Sequence, residues 1–389
     1  MPITRSASSV TTRGLRVRRA KMRALPIGLA TAVLVANAIF AEEPPGPTAP
    51  EPPLDRRAVC ALLPLSGPHE ALGRQALNAI REVLEGRSIR VVPLDVSGGD
   101  IGAPVARAHA ECAIGIGGIG DHEARRLAEA AEAQAWTVLI LGRDPDDRIR
   151  SHAIWVGVPR MEVLETLARH CVAERARNTA TILVPDTPYG QKVRVAFRRA
   201  FEEAGGRVAL EQVAPVGEDP ARTARTFAAA RMEAVPASPC AAEVLFLGFD
   251  LETARKVIPR LEFEGVPTRH TEGACLEVLV AGTELWNDPV RVSRLADDLN
   301  GAVFAAPERS GLPPIASDAA VAASLAAAWL ESATGGEPAP VERAEGLVVQ
   351  NSGQDLTVRG GRLTGRTIRI FEIRDGGITP WPGRPPAEK

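Results

Sequence analysis

The sequence predicts an α/β protein of two lobes, each a doubly wound parallel sheet. Three observations predict this. From residue 56, unbroken apolar blocks alternate with amphipathic stretches. The blocks fall into two successive series of five, with a restart near residue 158. Within a block, apolar residues follow one another without polar alternation, as in strands covered by helices on both faces.

In the first series, "AVCALLPL" (58–65) is a strand ended by "SGP". Residues 70–85 follow with helical spacing, placing Leu72, Ala76, Leu77, Ile80 and Leu84 on one face. "IRVVPLD" (89–95) is the second strand, and 102–110 a weak helix. "CAIGIGG" precedes a helix from Asp121 to Ala135; "WTVLILG" (136–142) and "HAIWVGV" (152–158) complete the first five strands. The second series opens with a helix over 160–175. Strands follow at 179–186, 207–215, 242–250, 276–285 and 301–307, with helices at 189–204, 221–232 and 251–265. An Ala-rich helix (317–332) and "TIRIFEIRDGGITP" (367–380) come after both series.

The ends read differently. Arg13, Arg16, Arg18, Arg19, Lys21 and Arg23 precede an apolar run from Ala24 to Ala41 that closes on small residues. Residues 1–41 therefore read as a secretory signal, or else as an uncleaved N-terminal anchor. "EEPPGPTAPEPP" begins a Pro-rich linker over 42–55, and 381–389 form a tail. Export predicts a periplasmic protein.

The chain carries five Cys. If the relevant strands are neighbours, Cys60 pairs with Cys112 and Cys240 with Cys275. Alternatively all five, Cys171 included, are small buried apolar residues. Their spacing matches no zinc pattern. A net charge of −2 gives no electrostatic footprint for nucleic acid.

Ligands of open parallel sheets sit outside the carboxyl ends of the strands. The informative loops are thus 65–70, 117–122, 141–147, 185–191, 248–252 and 282–288, three from each series. Two sheets whose strand ends converge on one cleft make a two-lobed binding protein. Gly115, Gly117 and Gly120 spell the Gly-x-Gly-x-x-Gly pattern of dinucleotide sites, but after the third strand, whereas that fingerprint belongs to the first strand–helix turn. No cofactor is expected. Catalysis is not expected either: no Gly-x-Ser-x-Gly elbow or Walker-type loop occurs, and the six His are scattered.

Several stretches carry a resemblance. "ALLPLSGPHEALGRQALNAIREVLE" resembles the opening of the type I periplasmic binding proteins, the leucine/isoleucine/valine-type family. "ILVPDTPYGQKVRVAFRRAFEEAGGRV" is similar to the start of that family's second lobe. "FLGFDLETARKVIPRLEFEGV" and "AGTELWNDPVRV…LNGAVFAAP" resemble the penicillin-binding-protein activator subgroup. The resemblance implies interleaved lobes joined by a three-strand hinge: 56–157 with 307–350, and 158–306 with 351–380. It implies capture of a small ligand, an amino acid or organic acid, for an ABC transporter permease. A regulator acting on a cell-wall synthesis protein is the alternative.

The resemblance also implies site residues. Asp121 stands where the family presents a hydroxyl and free amides to a ligand carboxylate, beside Gly118 and Gly120. Asp121 either caps its helix or leaves those amides to a solute. Arg143 either grips a carboxylate or pairs locally with Asp144, Asp146 or Asp147. Tyr189, the single tyrosine, matches a ligand-contacting Tyr near the hinge. Glu284 matches the acid that holds a ligand ammonium; otherwise it is a solvated loop acid. Ser66 of the first loop, and Phe249 and Asp250 at a strand end, line the cleft.

Overall fold

The structure, a computed structural model, describes residues 55–382 except 144–149, 236–242, 269–277, 295, 309–311, 333–343 and 352. The export segment, nearly all of the linker, Asp144, Cys240 and Cys275 lie outside the described residues.

The first series forms β1 (Asp55–Leu63), α1 (Glu70–Leu84), β2 (Arg90–Asp95), α2 (Gly102–Glu111), β3 (Cys112–Gly117), α3 (Asp121–Ala133), β4 (Val138–Ile140) and β5 (Ala153–Trp155). The second forms α4 (Arg160–Arg169), β6 (Thr179–Pro185), α5 (Pro188–Glu203), β7 (Arg207–Ala214), α6 (Pro220–Ala234), β8 (Glu243–Leu247) and α7 (Leu251–Phe263). It continues through β9 (Leu279–Ala281), the short α8 (Pro289–Val292) and α9 (Ala296–Leu299), and β10 (Val303–Pro307). Then come α10 (Pro314–Ser332), β11 (Val348–Asn351), β12 (Gln354–Arg359), β13 (Arg362–Thr364), β14 (Ile368–Arg374) and β15 (Gly377–Pro380).

Two sheets result. One runs β11-β12-β13-β5-β4-β3-β1-β2, the other β15-β14-β10-β9-β8-β6-β7. Strands β1–β5 are mutually parallel, as are β6–β10, while the added C-terminal strands are mostly antiparallel. Ala58–Leu63 are wholly buried because helices cover both faces of their sheet.

One expected assignment is corrected. Residues 351–364, read as part of the second lobe, instead belong to the first sheet, where β13 hydrogen-bonds beside β5. Their apolar residues, Leu356, Val358 and Leu363, join the core under α10. The chain thus passes between the sheets after β5, after β10 and after β13. The expected tail also begins in order: Trp381 stands edge-on to His170, 5.5 Å between ring centroids, and carries the Arg175 guanidinium 3.7 Å from its own.

Small residues let helices approach strand ends. A Cβ on Gly73 would lie 2.0 Å from the Pro64 carbonyl oxygen, and one on Gly190 the same distance from that of Pro185. In each lobe the helix that follows the first strand is thereby pressed against that strand's carboxyl end through a glycine. Leu72, expected on the buried face, is exposed, and Gly73 takes the inward position. Cys60 and Cys112 form a disulfide between the neighbouring β1 and β3, whereas Cys171 is a free, buried thiol.

Candidate functional site

The two sheets meet at the carboxyl ends of their parallel strands. Asp121 follows β3 and Arg143 follows β4, on the first sheet. Tyr189 begins α5 after β6, and Glu284 follows β9, on the second. The fold brings these four together and adds Arg160, the first residue of α4, and Lys192 of α5.

Glu284 is the centre of the cluster. Its side chain is 1% exposed, and its Oε1 accepts from Arg143, which comes from the opposite sheet. Arg160 Nε lies 3.5 Å from the same oxygen. Oε2 is buried with no hydrogen-bond partner from another residue among those described. Burial opposes ionisation of Glu284, but Arg143 and Arg160 outweigh it and hold the carboxyl below its usual range. Burial likewise works against the Arg160 charge; Glu284 and Asp121 more than compensate, so its guanidinium stays protonated.

Arg160 also reaches Asp121 Oδ2 across the cleft at 3.3 Å, and Lys192 Nζ approaches that oxygen at 3.7 Å. The Arg160 guanidinium stands 4.9 Å from the Tyr189 ring centroid, a cation–π distance. Burial, and then the Glu284 charge, push the Tyr189 hydroxyl above its ordinary range, so it is a neutral donor at any working pH. Among the described residues, three ion pairs of this cluster thus join the two sheets: Arg143–Glu284, Arg160–Asp121 and Lys192–Asp121.

The other expected residues make contacts within the scaffold. Asp121 does not cap its helix. Gly120 is the cap residue and makes no side-chain bond, while Asp121 is the first helical residue and faces the second sheet. The cause is the two cations opposite, which hold its carboxylate outward. Gly118 and Gly120 both have positive φ, and a Cβ on Gly118 would meet Ala124 Cα at 2.9 Å, so the turn brings α3 tight against β3. Ser66 donates from Oγ to Asp95 Oδ2 at 2.7 Å. Burial acts against the Asp95 charge, but bonds from Ser97, Ser66 and backbone amides hold its carboxyl far below the usual range. Asp250 caps α7, accepting from the Thr253 amide at 2.8 Å. Phe249 is buried, and its carbonyl accepts from Trp286 Nε1 at 2.8 Å. Asp144, Asp146 and Asp147 lie outside the described residues; Arg143 pairs with Glu284.

Arg160 and Lys192 escaped the sequence reading. Arg160 left one trace: a cation at a helix N-terminus opposes the helix dipole, a local conflict that marks a residue placed for a distant partner.

Residues 58–248 match the model of a periplasmic binding protein family. Among curated proteins, no significant match is found. Solved structures share the fold. An ABC transporter substrate-binding protein from Sphaerobacter thermophilus is 17% identical, with TM-score 0.66, covering 83% of this chain and 95% of its own. The leucine binding protein LivK of Thermotoga maritima is 13% identical, with TM-score 0.65 and coverage of 85% and 99%. The C-domain of LpoA from Haemophilus influenzae, a regulator of PBP1A, is 16% identical, with TM-score 0.58 and coverage of 83% and 99%.

Proposed function

We propose, for this member of the periplasmic binding protein family (residues 58–248), that the protein is exported and captures a small carboxylate-bearing ligand between its lobes. The ligand is an amino acid or organic acid, delivered to an ABC transporter permease. The observation that carries this reading is Glu284: buried where the sheets meet, it leaves Oε2 for a donor such as a ligand ammonium. Arg143 and Arg160 share its other oxygen, and their remaining N–H groups suit a ligand carboxylate. The reading assigns no catalytic role.

A second reading has its own support. The three ion pairs already join the lobes through the protein's own side chains, which suits an envelope regulator with an occluded cleft. The fold likeness to the LpoA domain is compatible with it.

The test is a melting screen of the mature chain against amino acids, organic acids and peptidoglycan fragments. A captured ligand at about 100 times its Kd stabilises by roughly 2.7 kcal/mol, a shift of several degrees. If no amino or organic acid shifts the melt, capture fails. Co-purification with a membrane-bound cell-wall enzyme then favours the regulator.

A further inference from the structure

The charges where the two sheets meet form a chain of alternating sign. Arg143 pairs with Glu284; Arg160 lies 3.5 Å from Glu284 and 3.3 Å from Asp121; Lys192 lies 3.7 Å from Asp121. Each carboxylate is thus shared by two cations, and both ends of the chain are cations. Among the described residues of this cluster, three positive side chains face two negative ones, which leaves one positive charge in excess. Where that excess sits decides what it costs. Arg143 and Arg160 are largely buried, so neither guanidinium is well hydrated. A cation withdrawn from water without a full counter-charge is costly, and an anion placed against it offsets the cost. Lys192, partly exposed, keeps part of its hydration, so the demand for an anion falls on the arginines.

Glu284 sets a second condition. Its Oε2 is buried and accepts from no other described residue. A plain carboxylate brings no donor and leaves that oxygen unpaired, which is itself costly. A neutral zwitterion brings a donor but no net charge, and leaves the excess cation uncompensated. An anion that also carries a donor meets both conditions. A 2-hydroxy acid does so through its hydroxyl. An aminodicarboxylate does so through its ammonium, its second carboxylate supplying the net charge.

We propose that the captured ligand carries a single net negative charge and an O–H or N–H donor beside its carboxylate, so that the cleft selects a hydroxy acid or an acidic amino acid over a neutral one. This rests on the capture reading above.

The test is calorimetric titration of the mature chain with probes of similar size that differ in charge or donor: lactate, alanine and propionate in one set, glutamate and glutamine in another, with leucine as a further neutral probe. In whichever set binds, the anion with a donor, lactate or glutamate, is expected to bind at least about tenfold more tightly than its neutral counterpart, alanine or glutamine. Propionate, which lacks the donor, is expected to fall as far below lactate. Two variants at partly exposed positions shift the charge in opposite directions. Lys192→Gln removes the excess and is expected to lower the anion-over-neutral ratio at least about threefold, whereas Asp121→Asn adds to it and is expected to raise the ratio. A purely structural role would not move the ratio both ways. If alanine, glutamine or leucine binds as tightly as the anions, if propionate matches lactate, or if both folded variants leave the ratio unchanged, the charge proposal is overturned and capture stands. If no probe binds wild type, the capture reading falls and the charge proposal with it.

Discussion

Replacing Glu284 by Gln isolates the electrostatics of the cleft. The side chain is 1% exposed, and its arginine partners are 18% and 13% exposed. Removing one member of a buried ion pair costs roughly 3–5 kcal/mol, because the remaining charge stays desolvated. Gln keeps the volume and one acceptor, and Arg160 retains Asp121, so the lower end, about 3 kcal/mol, applies. At an unfolding entropy of about 2.1 cal/mol/K per residue, 1 kcal/mol shifts the Tm of a folded part this long by roughly 1.5 °C, so Tm falls by about 4–5 °C. The pH dependence has a definite sign. Glu284 titrates below its ordinary value in the folded state, so its stabilisation is fully present above the unfolded pKa of about 4.3. It is lost as pH falls through the folded value. Melting curves of wild type and Glu284→Gln should therefore converge in acid and separate above about pH 5. The double variant Arg143→Gln/Glu284→Gln should be less destabilised than the sum of the single variants, since the pair is removed together. A Tm change below about 1 °C at pH 7, or additive single variants, would refute the reasoning.

Asp121→Asn removes two cross-cleft pairs whose acid is 29% exposed, so its melting shift should stay within about 1 kcal/mol, while X-ray scattering detects a larger radius of gyration. At high salt, where the same pairs are screened, the wild-type radius should rise toward that of the variant. Reducing the Cys60–Cys112 bridge, which spans 52 residues, should lower stability by about 4 kcal/mol, read as a drop in denaturation midpoint under reductant. Gly73→Ala and Gly190→Ala should each destabilise by roughly 1–3 kcal/mol or prevent soluble expression, because the added Cβ meets a backbone carbonyl that cannot move aside. Burial pushes the Cys171 thiol up to about 12, so maleimide at pH 7 should leave it unlabelled in the native chain and label it in denaturant, as read by peptide mapping.

The alternation of apolar blocks and amphipathic helices made both five-strand series legible, because strand and helix periodicity are local properties of the chain. The same pattern named the loops that end those strands, and Asp121, Arg143, Tyr189 and Glu284 all sit on them. Strands β11–β13 were less legible: short, partly polar segments pair by what lies beside them, and β5 offered its free edge.

The sequence by itself determined two parallel α/β lobes and three of the charged side chains at their facing ends, Asp121, Arg143 and Glu284. Only the tertiary structure decided the pairing among those charges. Arg143 met Glu284, Asp121 turned from its helix toward Arg160, and Arg160 entered the cluster unannounced. The physical reason is range. Periodicity acts within a few residues, whereas partner choice among buried charges depends on separations of a few ångströms between segments more than a hundred residues apart, such as Arg143 and Glu284.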